Sequence, residues 1–158
     1  MKSNFLHTFS KFLKLLGAKV TKTSAEHYLA SHPDEGSMLA YTDALTHFNV
    51  ENAAAKISAE DLKDLPTPLI TFLKVDGGTF TIIKSVQKNY IVWLDKQKGW
   101  VQTQIEEFTQ DWSGIVLFAE TNNESGEKDF IKKRNAERLR NFRIPVAISL
   151  ISILILSL

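Results

Sequence analysis

At Val50 the hydrophobic rhythm of the chain changes, and this limits the folds open to it more than any other feature. Before Val50, apolar residues recur at three- and four-residue spacing, the rhythm of a helix with one buried face. NFLHTFSKFLKLLG places Phe5, Leu6, Phe9, Phe12, Leu13 and Leu16 in that pattern, with Ser3 as a candidate N-cap and Gly17 as the stop. A second helix is expected to start after Thr23 or Ser24 and to run through AEHYLASH to Pro33. A third, SMLAYTDALTHF, presents Met38, Leu39, Leu45 and Phe48 as its buried side. After Val50 the segments shorten and become strand-like. VENAAAKI reads as an edge strand, and LITFLK, GTFTIIKSV, KNYIVWLD, GWVQTQ and GIVLFAE as further strands joined by VDGG, QKN and KQKG turns. SAEDLKDL reads as a short helix with a capping box from Ser58 to Asp61. Pro66 and Pro68 bracket a turn, and IEEFTQDW reads as one or two helical turns. Helices first and an antiparallel sheet second predict an α+β fold, with the helices packed on one side of the sheet around one core.

Several chemistries are excluded by residue type. The chain has no cysteine, so it offers no disulfide, no thiolate metal site and no cysteine nucleophile. Its histidines are His7, His27, His32 and His47. None belongs to an HExxH pattern, and His27 and His32 stand five apart, a poor spacing for one helical face. They read as surface or cap residues. Neither a GxxxxGK[ST] loop, nor a GxGxxG loop, nor a nucleophile elbow is present. No metal and no cofactor is therefore expected.

The net charge of +1 conceals an asymmetry. Residues 128–143 contain Lys128, Lys132, Lys133, Arg134, Arg138, Arg140 and Arg143 against only Asp129 and Glu137, so a mildly acidic body joins a basic neck. After the neck comes IPVAISLISILILSL, residues 144–158, uncharged and mostly branched aliphatic. As helix it would reach roughly 22 Å at about 1.5 Å per residue, against the roughly 30 Å of a bilayer core. It reads as the start of a transmembrane helix cut short at Leu158, with a short hydrophobic tail anchor or a docked C-terminal strand as the alternative, and by position it is not a signal peptide. Basic residues directly before it place the body in the cytoplasm under the positive-inside tendency, and the neck against anionic head groups. That position favours a membrane over nucleic acid as the partner of the neck. The expected organisation is a body over 1–120, a polar linker (TNNESGE, 121–127) and basic neck to 143, and the membrane segment 144–158.

One stretch of the body, VDGGTFTIIKS, asks for an explanation. Two glycines enter a strand at the cost of backbone freedom, which suggests a close approach or a sharp bend. The body around it is similar to a known pattern. LASHPDEGSMLAYTDALTHFNVENAAAKISAEDLKDLPTPLI, then GGTFTIIKSVQKNYIVWLDKQKGW, then EEFTQDWSGIVLFAE resembles the bacteriocin-processing, double-glycine-leader cysteine peptidase domains of ABC exporters. The resemblance spans nearly all of residues 3–120 and implies a papain-like fold. It implies a histidine after the glycine turn, where this chain has Thr79, which cannot serve as a general base near neutral pH. It implies a nucleophilic cysteine at the start of the first helix, which falls near Asn4. The family's oxyanion-hole glutamine falls before Met1. Asp95 matches the third member of the triad, although ordering the turn from Asp95 to Gly99 is enough to explain it.

The resemblance thus implies a degenerate, catalytically inactive peptidase-like domain. It would bind a leader or unfolded peptide in the old substrate groove between the helical and sheet layers, or position a partner for a downstream membrane module. Trp93, Trp100 and Trp112 are candidate groove residues, with core packing as the plainer fate of each. Similar domains also precede membrane modules of the vitamin K epoxide reductase and thioredoxin type, so a regulatory cap on a thiol–disulfide oxidoreductase is an alternative. A peptidase with a relocated serine or threonine nucleophile is another.

Overall fold

The computed structural model describes residues 2–140. The tail 144–158 and its expected membrane helix lie outside the described residues. Helix α1 (Lys2–Leu16) ends as the sequence suggested. Gly17 takes φ +70°, its N–H bonds to the Lys14 carbonyl and that of Ala18 to the Leu13 carbonyl, closing the last turn in a Schellman motif. Ser3, expected as the cap, stands inside α1. Helix α2 (Lys22–Ala30) begins earlier than expected, because the Thr21 side chain accepts from Ser24 N–H and caps it. Helix α3 (Met38–His47) is capped by Ser37.

The buried side of α3 differs from expectation. Ala40, Tyr41, Ala44 and Leu45 are buried, while Leu39 is 52% exposed and Met38 only partly covered. The two alanines let the helix lie close, and Tyr41 fills the gap by stacking on Phe5 at 4.2 Å and Phe9 at 5.1 Å. Its hydroxyl donates to the Phe5 carbonyl at 2.7 Å, so the buried polar atom is satisfied.

The sheet contains β1 (Glu51–Lys56), β2 (Leu69–Leu73), β3 (Thr79–Gln87), β4 (Tyr90–Asp95), β5 (Gly99–Gln104) and β6 (Trp112–Glu120) in the order β1-β6-β2-β3-β4-β5. All its pairings are antiparallel, and β1 is an edge strand. The expected capping box is present: Ser58 Oγ lies 2.6 Å from Asp61 Oδ2 and accepts from Asp61 N–H.

The expectation of one core under helices on one side needs correction. Consecutive residues of the central strands point to opposite faces. Ile70, Ile82 and Leu117 pack with α1, α2 and α3, whereas Leu69, Ile83 and Val116 pack in a second cluster with Phe108 of α4 (Ile105–Gln110) and with Leu62. The sheet is buried on both faces, and α4 covers the face away from the other helices. Runs such as LITFL and TII are the sequence trace of that arrangement.

Residues 121–127, expected as a linker, lie against the body. Ser125 Oγ donates to the Asn49 carbonyl, Gly126 N–H bonds to the Phe48 carbonyl, and Lys19 and Gly126 form a parallel bridge. From 130 to 140 the chain is helical again. No helix among the described residues is long and apolar enough to cross a membrane.

Candidate functional site

The N-terminus of α1 meets the start of β3 at one side of the sheet. Asn4 Nδ2 donates to Thr79 Oγ1 at 2.8 Å and reaches the Phe80 carbonyl at 3.5 Å. One turn on, the hydroxyl of Thr8 donates to the same carbonyl at 3.4 Å. Thr8 is almost fully buried, and the sequence reading passed over it. Its signal was its place, four residues after Asn4 on an otherwise apolar helical face.

The glycine pair explains how β3 starts. Val75–Gly77 forms a 3₁₀ turn, and Gly78 N–H bonds back to the Val75 carbonyl at 2.8 Å. Gly78 has φ +101°, and a Cβ built there would stand 2.3 Å from Phe72 Cζ. Both the left-handed backbone and the close approach of an aromatic ring therefore require glycine. Phe72 in turn packs edge-on to Phe80 at 5.0 Å, and Phe80 meets Tyr41 at 5.0 Å.

Two hollows open on either side of the Asn4–Thr79 pair. One, of about 370 Å³, is lined by Phe5, Phe72, Phe80, Glu35, Gly36 and the glycine turn. The other, of about 290 Å³, is lined by Val75, Trp93, Asp95 and the turn through Lys98. Asn4, Thr79 and Asp95 thus share the second hollow. Asp95 Oδ1 accepts the N–H groups of Gln97 at 2.8 Å and Lys98 at 2.7 Å, so it orders the β4–β5 turn. Of the three tryptophans, only Trp93 lines a hollow beside this pair. Trp112 is buried in the second core, and Trp100 lies under Lys11 and Lys84.

Chemically, the pair is an amide on a hydroxyl, two neutral groups able to orient a polar partner. An amide and a hydroxyl neither form a strong nucleophile nor take a proton near neutral pH. The histidines lie elsewhere. His32 is the one paired with a carboxylate: Nε2 stands 3.1 Å from Asp43 Oδ2, and Nδ1 accepts the Asp34 N–H at 3.1 Å. Both ring nitrogens are engaged, which leaves no lone pair for a general base. His47 stacks on Tyr28 at 4.5 Å. Among the described residues, no group of three or more His, Cys, Asp or Glu side chains is placed to hold a metal ion.

The sequence profile of the Peptidase C39 family matches residues 7–124. No curated protein sequence matches the chain significantly. Among solved structures, a double-glycine-motif protease from an AMS/PCAT transporter, in complex with the leader peptide, superposes with a TM-score of 0.66 at 20% identity, covering 77% of this chain and 86% of that one. The peptidase domain of Streptococcus ComA, a bifunctional ABC transporter of a quorum-sensing pathway, gives 0.65 at 15% identity over 77% and 93%. The N-terminal peptidase C39-like domain of a toxin-secretion ATP-binding protein from Vibrio parahaemolyticus gives 0.60 at 15% identity over 77% and 99%. At these identities the likeness is one of fold, and it is the papain-like arrangement of helices on a six-stranded antiparallel sheet.

Proposed function

Because the chain belongs to the peptidase C39 family, we propose that it is a non-catalytic copy of that domain, tethered to a membrane, which binds a peptide rather than cutting it. Asn4 takes the position of the family's nucleophilic cysteine, Thr79 that of its histidine, and Asp95 that of the residue that orients the imidazole. What supports this is the hydrogen bond from Asn4 Nδ2 to Thr79 Oγ1, two neutral groups joined where the reaction needs a thiolate beside an imidazole. Asp95, its Oδ1 engaged with the turn amides, is a structural remnant. A relocated nucleophile is disfavoured by the engagement of both nitrogens of His32.

The larger hollow suits an extended apolar segment, with Phe72 and Phe80 as its aromatic wall and the glycine turn as its close-approach edge. A leader-like or unfolded peptide fits that chemistry. The tail 144–158 then serves as membrane anchor, with the body on the cytoplasmic side and a downstream membrane module as the recipient of the bound peptide.

Two measurements test this. The chain, incubated with a double-glycine leader peptide and followed by mass spectrometry, is expected to leave the peptide intact. Cleavage after the glycine pair that co-purifies with the protein overturns the non-catalytic reading. Anisotropy of a labelled leader peptide is expected to rise saturably with added protein, and Phe72→Ala to weaken binding about tenfold, as truncating a central aromatic contact does. Absence of saturable binding removes the peptide-binding half.

A further inference from the structure

Two carboxylates, Glu127 at the end of the linker and Glu137 in the neck, are held against the body. Glu127, whose side chain is only 4% exposed, accepts from Thr21 N–H at 2.7 Å, from Thr21 Oγ1 at 2.9 Å and from Ser24 Oγ at 3.1 Å. Lys133 completes its shell at 2.6 Å. One step further, Glu137 accepts from Thr23 N–H at 3.1 Å and Thr23 Oγ1 at 2.7 Å, and Arg140 donates to the same hydroxyl. Both carboxylates are therefore spent on the N-terminus of α2, where backbone N–H groups and the helix dipole favour negative charge.

Turning Lys133, Glu137 and Arg140 toward α2 leaves the opposite side of the 130–140 helix with Ile131, Lys132, Arg134, Arg138 and Leu139. Each of these is exposed, Ile131 by 74% and Leu139 by 60%. The neck's remaining carboxylate, Asp129, precedes the helix and lines a hollow with Ile131, Lys132 and Arg134. Cations beside two bare aliphatic side chains are the pattern of a helix lying in the plane of a lipid interface.

We propose that this outer face of the neck helix rests on an anionic lipid surface, with Ile131 and Leu139 entering the head-group boundary and Lys132, Arg134 and Arg138 pairing with lipid phosphates and carboxylates. The occupant follows from charge and from continuity of sequence, since the basic neck is followed by the uncharged stretch 144–158. Glu127 and Glu137 then act as a two-point clasp, so the body is carried in one orientation with α4 turned away from the bilayer. This rests on the membrane tether proposed above but adds a separate contact.

The experiment is flotation of the full chain with vesicles of phosphatidylcholine, alone or mixed with phosphatidylserine. At low salt the anionic vesicles are expected to bind tighter on the order of 100-fold, the gain expected from three basic residues at the surface. Combined Lys132→Gln, Arg134→Gln and Arg138→Gln is expected to abolish most of that gain and leave binding to neutral vesicles unchanged. Because the chain has no cysteine of its own, a polarity-sensitive dye can be placed at Ile131→Cys, where it should shift to the blue on anionic vesicles, or at Gln110→Cys on α4, where it should not. A triple variant that keeps the anionic gain, or a dye at position 131 that does not move, overturns the proposal. Loss of neutral-vesicle binding by the full chain, with anionic binding intact, instead removes the tether and leaves this surface standing.

Discussion

Two helix N-termini in this molecule are met by residues far away in sequence, and they are met differently. At α2 the arriving groups are two carboxylates, Glu127 and Glu137, whose hydrogen bonds span the junction beside a hollow of about 360 Å³ lined by Thr23, Lys133 and Arg140. At α1 the arriving group is the hydroxyl of Thr79, held by the amide of Asn4, and hollows remain on both sides. A helix N-terminus favours an anion, as it favours the thiolate of an active cysteine peptidase. Here negative charge is supplied at the junction that holds the neck, while the α1 junction is met by neutral groups. Under the function proposed above, such a neutral site would bind without the ionised pair that drives acyl transfer.

The contrast can be broken first at the packing behind the α1 junction. Phe9 is fully buried and stacks on Tyr41, so Phe9→Ala is expected to cost about 3–5 kcal/mol in urea unfolding. A loss below about 1 kcal/mol would mean that α1 is not anchored as described.

At the α2 junction, Glu127→Ala leaves the Thr21 N–H without its acceptor and Lys133 without its partner. A loss of about 1–3 kcal/mol is expected, together with faster amide exchange at residues 21–24 and along 130–140. Unchanged exchange would show that Glu127 does not hold the neck. Acid should separate the two junctions as well. Burial opposes the charge on Glu127, but the hydrogen bonds from Lys133, Thr21 and Ser24 outweigh it and hold the carboxyl below its ordinary value of 4.5. The docked carboxyl binds its proton less readily than the free one. Its contribution is therefore complete above that ordinary value and is lost as pH falls through the lower, docked value. Amide protection in the neck, corrected for the intrinsic pH dependence of exchange and followed from pH 6 downward, should fall in that window in the parent chain and stay flat in Glu127→Gln.

The smallest effect belongs to the α1 junction. Thr79→Val removes one partly buried, neutral hydrogen bond, and Asn4 retains the Phe80 carbonyl within 3.5 Å. About 0.5–1.5 kcal/mol is expected from urea unfolding. A cost of more than about 3 kcal/mol would mark the pair as a structural keystone rather than a remnant of a catalytic pair.

Much of the fold was legible in the sequence because period and punctuation are local. The switch at Val50, the Gly17 stop, the Ser58–Asp61 box and the strands from β2 to β6 were all readable from neighbours within a few residues. The buried side of α3 was not, because hydropathy favours Leu39, whereas packing against Phe5 and Phe9 selects Ala40, Tyr41 and Ala44. The second core was hidden for a related reason: an apolar run such as LITFL names burial without saying which element covers each face.

What the sequence by itself determined was residue chemistry: no thiol anywhere, a threonine after the glycine turn, and a basic neck before an apolar tail. Only the tertiary structure decided which of those groups meet. It set Asn4 against Thr79 across 75 residues and Glu127 against Thr21 across 106. Such pairings follow from how whole layers pack, and no local rule of spacing carries that information.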